Sequence, residues 1–396
     1  MKRTGTGMVK HHEQIKQVIE AEIQAGFLAG ANVLAIKDGR TVYEHSFGMA
    51  NIEKNQELTL DSIFRLYSLS KPITAVAILI LVDQGKLKLT DDLSLYLPSF
   101  LQPKVESDGD LIPSNREVTI FDLLTMTAGV VYPDGETISG KLMGEIYDQY
   151  NRDFSSGKVT TTLDFINQMG TCPLAFQPGE EWRYGSCADV LGAVVEVVSG
   201  MRYSEFLRRY LFEPLGMRDT GFYVPKDKQE RMATVYEYDD HSKLLKPYDG
   251  LNLSIFPMDQ KPGFESGGAG IVSTILDYAK FAQMLLNEGS YEGKTIIQPE
   301  TFHTMKQNYL TKEQKKTYNW NSLLGFGYGF LVRVLEDSQT AGLNSKAGTF
   351  GWDGWTGPYL AIDPENKAVF LYFISKINTG TTPTTKKIHN LLADSL

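Results

Sequence analysis

A serine and a lysine one helical turn apart lie at the start of a long apolar segment. Ser68 and Lys71 open the sequence SLSKPITAVAILILV, whose run from Ile73 to Val82 is predicted to be buried. If the helix begins near Ser68, this serine lies at its positive end, with Lys71 on the same face and within reach of the hydroxyl. Because partial burial weakens the hold of a lysine on its proton, the pair is a candidate nucleophile and base.

The same spacing also has an ordinary structural interpretation. Serine often caps helices, so Ser68 could be a cap and Lys71 an exposed residue of the first turn. A second S-x-x-K, from Ser155 to Lys158, lies in a glycine-containing polar stretch that is predicted to be a loop and leads into no helix. The motif alone therefore does not identify a catalytic site.

Two further segments carry groups that could complete a site. In PLAFQPGEEWRYGSCADVLGAVVEVV, Tyr184 stands where a loop meets an apolar helix. It could join Lys71 in proton transfer if the positive neighbour depresses its pKa, or it could be a packed aromatic side chain. In GTFGWDGWTGPYLAID, glycines precede a predicted strand, which indicates either close approach of a backbone or ligand, or an ordinary turn.

Composition and charge narrow the class of protein. The net charge of −9 and a pI near 5.3 argue against nucleic acid as a partner, because phosphate binding requires a basic face. No apolar run is long enough to span a bilayer, and no secretory signal is visible, which predicts a cytoplasmic protein. The two cysteines, Cys172 and Cys187, are expected to be reduced thiols.

Several catalytic motifs are absent from the sequence. There is no G-x-S-x-G and no H-E-x-x-H, and the six histidines are scattered, so neither a metal site nor a cofactor is expected. The sequence GSYEGKT resembles a phosphate-binding loop, but its first glycine is one residue too close to Gly-Lys-Thr, and it is interpreted as a surface turn.

Strand patterns cluster at both ends of the chain, whereas the middle is mostly helix and loop. ANVLAIKDGRTVYEHSFG and TGPYLAIDPENKAVFLYFISK each predict a hairpin, and residues 11–25 and 388–396 predict terminal helices. We predict an α+β fold whose antiparallel sheet, flanked by N- and C-terminal helices, is built from residues 1–74 and 266–396. Residues 75–265 would form an inserted helical domain, with the active site between the two. Segments 97–118 and 132–159 are expected to be loops.

Three motifs in order resemble those of the serine β-lactamase and penicillin-binding-protein superfamily, most closely its class C-like branch and the family VIII carboxylesterases. They are S-x-x-K at Ser68–Lys71, Y-x-S at Tyr184–Ser186, and W-D-G at Trp352–Gly354, where the family has Lys-Thr-Gly, His-x-Gly or Trp-Gly-Gly. Flanking phrases such as VTIFDLLTMTAGV and ESGGAGIVSTILDYAKFAQMLLNEG extend the resemblance from about residue 10 to the final hairpin.

The resemblance implies a role for each matching residue. Ser68 would be the nucleophile, and Lys71 and Tyr184 would carry its proton to the leaving group. The backbone N–H groups of Ser68 and Trp355 would form an oxyanion hole, and water would hydrolyse the acyl-enzyme. The residues implied in substrate binding are Ser186, Trp352, Asp353 and Gly354.

The sequence departs from the family pattern at three places. Trp352 stands where β-lactamases and peptidases present Lys or His to a substrate carboxylate, which should weaken binding of anionic β-lactams and suit apolar acyl or alkoxy groups. Asp353 would face the opposite way along a regular strand, as a buried or paired structural residue. Ser186 replaces a common Asn, and TMTAG lacks the usual His and Ser. Lys346-Ala347-Gly348 is a second candidate for the third motif, ranked lower because Lys346 lies too far upstream.

The predicted function is a cofactor-free serine hydrolase, most simply a carboxylesterase acting on a small-molecule ester. A β-lactamase or D-alanyl-D-alanine carboxypeptidase is the alternative within the same superfamily, and acyl transfer to an alcohol or amine is a variant. A penicillin-recognising sensor that is acylated without turnover is the alternative from another class. The complete set of Ser68, Lys71 and Tyr184 favours catalysis.

Overall fold

The computed structural model describes residues 5–250, 258–318 and 320–396. The helices are α1 (Gly5–Gln24), α2 (Lys71–Asp83), α3 (Ile120–Leu124), α4 (Ile138–Ser155), α5 (Thr162–Met169), α6 (Cys187–Ser199), α7 (Tyr203–Leu207), α8 (Glu213–Leu215), α9 (Ile275–Leu286), α10 (Pro299–Met305), α11 (Ser338–Ala341) and α12 (Pro383–Ser395). The strands are β1 (Gly30–Lys37), β2 (Arg40–Asn51), β3 (Gln56–Glu57), β4 (Ile63–Arg65), β5 (Lys104–Ser107), β6 (Asp110–Pro113), β7 (Tyr236–Asp239), β8 (Leu244–Pro247), β9 (Val272–Thr274), β10 (Ser290–Tyr291), β11 (Lys294–Thr295), β12 (Phe326–Tyr328), β13 (Arg333–Leu335), β14 (Phe350–Asp353), β15 (Tyr359–Asp363) and β16 (Ala368–Phe373).

The central sheet is assembled from both ends of the chain. Its eight strands follow the order β12-β13-β14-β15-β16-β1-β2-β3, and each neighbouring pair is antiparallel. The N-terminal hairpin joins the C-terminal one through β1 and β16, where Leu34 is paired with Leu371. The predicted α+β class and both predicted hairpins are confirmed.

Alternate residues of the two central strands bury opposite faces of the sheet, as the period of two requires. Val33 and Phe370 belong to a core cluster with residues of α1 and α12. Leu34 and Leu371 belong to the larger core, which contains α2 and α9. The sheet is thus covered by helices on both faces, and α2 lies inside the protein, with every residue from Lys71 to Leu81 buried.

Two segments predicted to be loops contain regular structure. Residues 132–159 include α4, whose Met143, Tyr147 and Tyr150 recur at helical spacing and are buried. Their apolar stripe outweighs the glycines that suggested a loop. Residues 97–118 include the hairpin of β5 and β6.

The mostly helical segment starts and ends at one place beside the sheet. Strands β4 and β9, which precede α2 and α9 respectively, pair with each other through Phe64 and Ser273. The predicted domain boundaries at 74 and 266 remain a prediction. Within the described part of the chain, both cysteines are free and buried, and no helix is long and apolar enough to cross a bilayer.

The C-terminal helix is joined to the sheet by a buried histidine. His389 of α12 is 1% exposed; its Nε2 lies 2.7 Å from Ser345 Oγ and its Nδ1 lies 3.0 Å from Tyr359 OH. Burial lowers the pKa of His389 to about 3, with an opposing contribution from Asp363 and a further lowering by Arg333. The imidazole is therefore neutral in the folded protein at neutral pH.

We expect this histidine to destabilise the fold in acid. The histidine binds a proton near pH 6.5 in the unfolded chain and near pH 3 in the folded protein. The contribution of His389 to the free energy of unfolding is therefore fully present above about pH 6.5. It falls as the pH drops toward 3, by up to ~1.4 kcal/mol per pH unit. Urea unfolding of His389→Gln at pH 7.5 and 5.5 should show a smaller pH dependence than the native protein. The exposed His241→Gln is the control; equal pH dependence in all three proteins would contradict the assignment.

Candidate active site

The candidate nucleophile lies in a tight turn between β4 and α2. Residues 67–70 form a turn of 3-10 helix, and α2 continues from Lys71, so the predicted helix start near Ser68 is confirmed. Tyr67, just before the serine, has a φ of 44°, in the left-handed region where a non-glycine residue costs about 1 kcal/mol or more. The turn is held by Leu66 N, which donates to Ile271 O, and by Ser70 Oγ, which accepts from Ile271 N.

Ser68 and Lys71 are in direct contact at the end of this turn. The distance between Lys71 Nζ and Ser68 Oγ is 3.1 Å. Lys71 Nζ also donates to Tyr132 OH at 3.0 Å and to the carbonyl oxygen of Gly268 at 2.9 Å. A neutral amine has two N–H bonds and one lone pair. When the neutral amine donates its two hydrogens to Tyr132 and Gly268, its lone pair faces the Ser68 hydroxyl.

Burial sets the charge of this lysine. Lys71 is 0% exposed, and burial lowers its pKa to about 7, against an upward contribution from the carboxylate of Asp189. At neutral pH a substantial fraction of Lys71 is therefore the free amine, which can accept a proton.

Tyr184 lies at the junction before α6, where the sequence predicted it. Its hydroxyl accepts from Trp352 Nε1 at 3.2 Å, and Lys71 Nζ lies 4.5 Å from its ring centroid. Gly185 permits this position, because a Cβ there would lie 2.1 Å from Val130 O.

The expected depression of the Tyr184 pKa is not found. Burial raises it above the ordinary value, and this outweighs the hydrogen bonds with Ser68 and Trp352 that lower it. The phenol therefore keeps its proton at neutral pH, when it can act as a proton donor.

The buried carboxylate of Asp189 holds the backbone segment that contacts Lys71. Asp189 of α6 accepts from Ser266 Oγ at 2.6 Å and from Gly268 N at 3.0 Å through the same oxygen, Oδ1. It thereby fixes the segment whose Gly268 carbonyl meets Lys71. Burial raises the pKa of Asp189, while Ser266, Lys71 and Gly268 oppose this rise.

The third motif forms the end of β14 and packs against the nucleophile turn. A Cβ on Gly354 would lie 2.1 Å from Leu66 O, so only glycine allows this approach. The neighbouring Trp355 has its ring 5.1 Å from that of Tyr67, centroid to centroid. Gly354 and Trp355, whose backbone N–H is predicted for the oxyanion hole, thus pack against the residues that immediately precede Ser68.

The other residues of this motif have separate surroundings. Trp352 is buried beside Tyr184, with ring centroids 5.6 Å apart. Asp353 accepts from Arg333 Nη1 at 2.7 Å, and that arginine is 3% exposed, so Asp353 is paired, as the alternation along the strand suggested. Lys346 is exposed at the other end of β14, where its backbone N–H donates to Asp363.

Ser186 lies in the same junction as Tyr184, but its side chain is directed into the interior. It is fully buried, with Oγ 3.3 Å from Tyr147 OH and 3.4 Å from Val131 O. The structure therefore brings together Ser68, Lys71, Tyr184 and Trp352, and gives Ser186 and Asp353 partners away from this group.

Tyr132, Asp189 and the Gly268 carbonyl were missed from the sequence. Asp189 had a signal, since it is a lone carboxylate in the first turn of the apolar helix CADVLGAVVEVV. Tyr132 directly follows the TMTAGVV segment, but tyrosines are frequent in this chain. A backbone carbonyl such as that of Gly268 has no sequence signature at all.

Aromatic side chains line one side of the group formed by Ser68, Lys71 and Tyr184. Trp320 is 43% exposed, and its ring centroid lies 5.1 Å from that of Tyr184. The ring centroid of the buried Trp182 lies 5.6 Å from that of Trp320. Tyr132 contacts Tyr184 edge to face at 5.7 Å. Such a wall favours apolar or aromatic groups of a bound molecule. Among the described residues, no cluster of histidine, cysteine or carboxylate side chains could hold a metal ion.

The arrangement of Ser68, Lys71 and Tyr184 and a match over nearly the whole sequence indicate the same class of protein. The family model described as Beta-lactamase matches residues 15–394, and the chain belongs to this family. Within the serine β-lactamase and penicillin-binding-protein superfamily it lies near the family VIII carboxylesterases, as the three motifs indicated.

Particular relatives cover most of the chain. Protein Rv1367c of Mycobacterium tuberculosis is 32% identical over 365 residues, which are 88% of this chain and 86% of that protein. Esterase EstB of Burkholderia gladioli is 30% identical over the same lengths. The solved structure of EstCE1, described as a hydrolase with promiscuous acyltransferase activity, has a TM-score of 0.80 and 27% identity, covering 98% of this chain and 99% of that one.

Proposed function

We propose that this protein is a serine carboxylesterase that acts through an acyl-enzyme at Ser68. The observation that carries the proposal is the 3.1 Å contact of Ser68 Oγ with Lys71 Nζ, whose other two partners are Tyr132 OH and the Gly268 carbonyl oxygen. When the neutral amine donates to these two, its lone pair faces the serine. An activated hydroxyl beside a second proton carrier is the arrangement that acyl transfer requires.

The proposed reaction begins with attack of Ser68 Oγ on the ester carbonyl, while the neutral amine of Lys71 takes the serine proton. The negative charge that develops on the carbonyl oxygen is stabilised by the backbone N–H groups of Ser68 and Trp355. Tyr184, which is protonated, donates to the departing alkoxide and is reprotonated from Lys71. Water then hydrolyses the acyl-enzyme by the reverse proton path.

The preference for esters over β-lactams rests on Trp352. An indole stands where the superfamily's β-lactam-binding members present a cation, and the cation behind it, Arg333, is buried and paired with Asp353. The names of EstB and EstCE1, an esterase and a hydrolase, support the same preference. Acyl transfer to an alcohol is the second candidate, because the description of EstCE1 includes that activity.

The proposal is tested by comparing two substrates side by side. We expect p-nitrophenyl butyrate to be hydrolysed with a kcat/KM at least about 10- to 100-fold above that of a chromogenic cephalosporin, since a lost charge-assisted hydrogen bond costs ~1.5–3 kcal/mol. Adding an alcohol such as butanol and measuring the transfer product separates hydrolysis from acyl transfer. Faster cephalosporin cleavage would contradict the ester preference, and a stable acyl adduct without product, by intact mass, would instead indicate a sensor.

A further inference from the structure

A cavity lies between α7, the segment after α8 and the β4–β9 pair. Its volume is about 440 Å³, within the size range of small-molecule sites. None of Ser68, Lys71, Tyr132, Tyr184, Trp352 or Trp355 lines it. It is therefore separate from the candidate active site.

The cavity is basic although the chain is acidic. Its lining contains five cations and three carboxylates, a difference of +2, whereas the whole chain has a net charge of −9. The cations are Arg202, Arg208, Arg218, Lys228 and Lys261. A local excess of positive charge in a concave surface attracts anions.

Two of the three carboxylates are already neutralised by neighbours. Glu265 lies 2.6 Å from Arg202 Nη2, and Asp219 lies 2.7 Å from Lys228 Nζ. Glu205, the third, is exposed at the rim. These two pairs use Arg202 and Lys228, so the excess of +2 comes from the other three cations of the lining against Glu205.

Two cations have no acidic partner among the residues that the structure describes. Neither Arg218 nor Lys261 forms an ion pair there, and Lys261 Nζ lies 5.7 Å from the centroid of the Tyr223 ring. Arg208 pairs with Glu213, and both side chains are more than half exposed, so that pair is weakly held. Arg218 and Lys261 are thus the groups available to a ligand.

The inner surface of the cavity is apolar. Ile63 and Val272, from the paired strands β4 and β9, lie beside Phe222 and Val224 at its base. These four side chains are only 1–3% exposed, so the apolar body of a ligand would gain van der Waals contacts with them while its charged end meets the cations.

From this combination we propose that the cavity binds a small organic dianion, with its apolar group on Ile63 and Val272 and its charge between Arg218 and Lys261. A charge of −2 matches Arg218 and Lys261, the two lining cations for which the described residues supply no acidic partner. The binding is non-covalent and independent of the proposed esterase reaction.

Isothermal titration calorimetry of the full chain tests this assignment with four probes. Phenyl phosphate and phenylsuccinate each carry an apolar ring and two negative charges on different head groups, inorganic phosphate carries charge alone, and benzyl alcohol carries the ring alone. We expect at least one of the two aromatic dianions to bind, more tightly than phosphate, and benzyl alcohol to give no signal. The better head group identifies the ligand class.

Variants locate the binding. The double substitution Arg218→Gln/Lys261→Gln should weaken binding at least about tenfold and leave p-nitrophenyl butyrate hydrolysis unchanged. Lys312→Gln/Lys316→Gln removes the same charge elsewhere and should bind like the native protein, as should Ser68→Ala. Absence of dianion binding by the native protein, equal weakening in both double variants, or undiminished binding by Arg218→Gln/Lys261→Gln would overturn the proposal.

Discussion

Substitution of Ser68 by alanine is expected to lower kcat/KM for p-nitrophenyl butyrate by about 10⁴-fold or more. Removing the nucleophile of an acyl-enzyme mechanism abolishes the covalent path and leaves only the contribution of binding and the oxyanion hole. The loss should come without unfolding, because Ser68 Oγ is not one of the groups that tie the turn to Ile271. Initial rates and a thermal unfolding curve on the same preparation measure both effects.

The chain offers a matched control in its second S-x-x-K. Ser155 is exposed at the end of α4 and donates to Asn151 O, and Lys158 pairs with Asp153. Ser155→Ala should hydrolyse the ester at the native rate. Trapping with a slowly deacylating ester, followed by peptide mass mapping, should place the acyl group on Ser68. Hydrolysis that survives in Ser68→Ala would exclude this serine as the nucleophile.

Substitution of Lys71 by methionine is expected to lower kcat/KM by about 10²- to 10⁴-fold, the usual contribution of a positioned general base. In the native protein, kcat/KM should fall roughly tenfold per pH unit below about pH 7, because protonation of Lys71 removes the lone pair directed at Ser68. No loss is expected between pH 7 and 9 from Tyr184, whose pKa is raised. A stopped-flow pH profile measures this dependence.

Asp189→Asn distinguishes the effect of Asp189 on the pKa of Lys71 from its effect on the position of that lysine. The amide oxygen can still accept from Ser266 and Gly268, but the negative charge that raises the Lys71 pKa is gone. The acid limb of the kcat/KM profile should therefore move to lower pH, whereas loss of positioning alone would lower the rate at every pH. A flat profile in the native protein would refute the role of Lys71 as the base, and a native profile in this variant would refute the effect of Asp189 on the Lys71 pKa.

The parts of the fold that were predicted have strong local patterns. The hairpins of β1 with β2 and of β15 with β16 follow from β-rich runs around short polar turns, and the start of α2 follows from the apolar run after Lys71. Helix α4 was missed because its glycines and serines resemble a loop, although its buried residues recur at helical spacing. Local composition favours a loop in this segment, but burial of its apolar face against the rest of the protein stabilises the helix.

The candidate site was predictable only where its residues belong to motifs. Ser68, Lys71, Tyr184 and Trp352 could be named because each lies in a short recognisable pattern. The charge of Lys71 could not be derived in the same way, since it depends on burial and on Asp189, 118 positions away in the chain. The protonation of Tyr184 likewise follows from its surroundings and not from its sequence neighbours.

The arrangement of the central sheet has a consequence for synthesis on the ribosome. Strand β1 lies between β2 and β16, and Lys37 and Asn366, which are bonded across that junction, are 329 positions apart. At roughly 5–20 residues per second, one edge of the N-terminal hairpin waits on the order of 15–65 s for its partner to be translated. During that interval the nascent chain presents an open apolar edge, a substrate for chaperones and a site for aggregation.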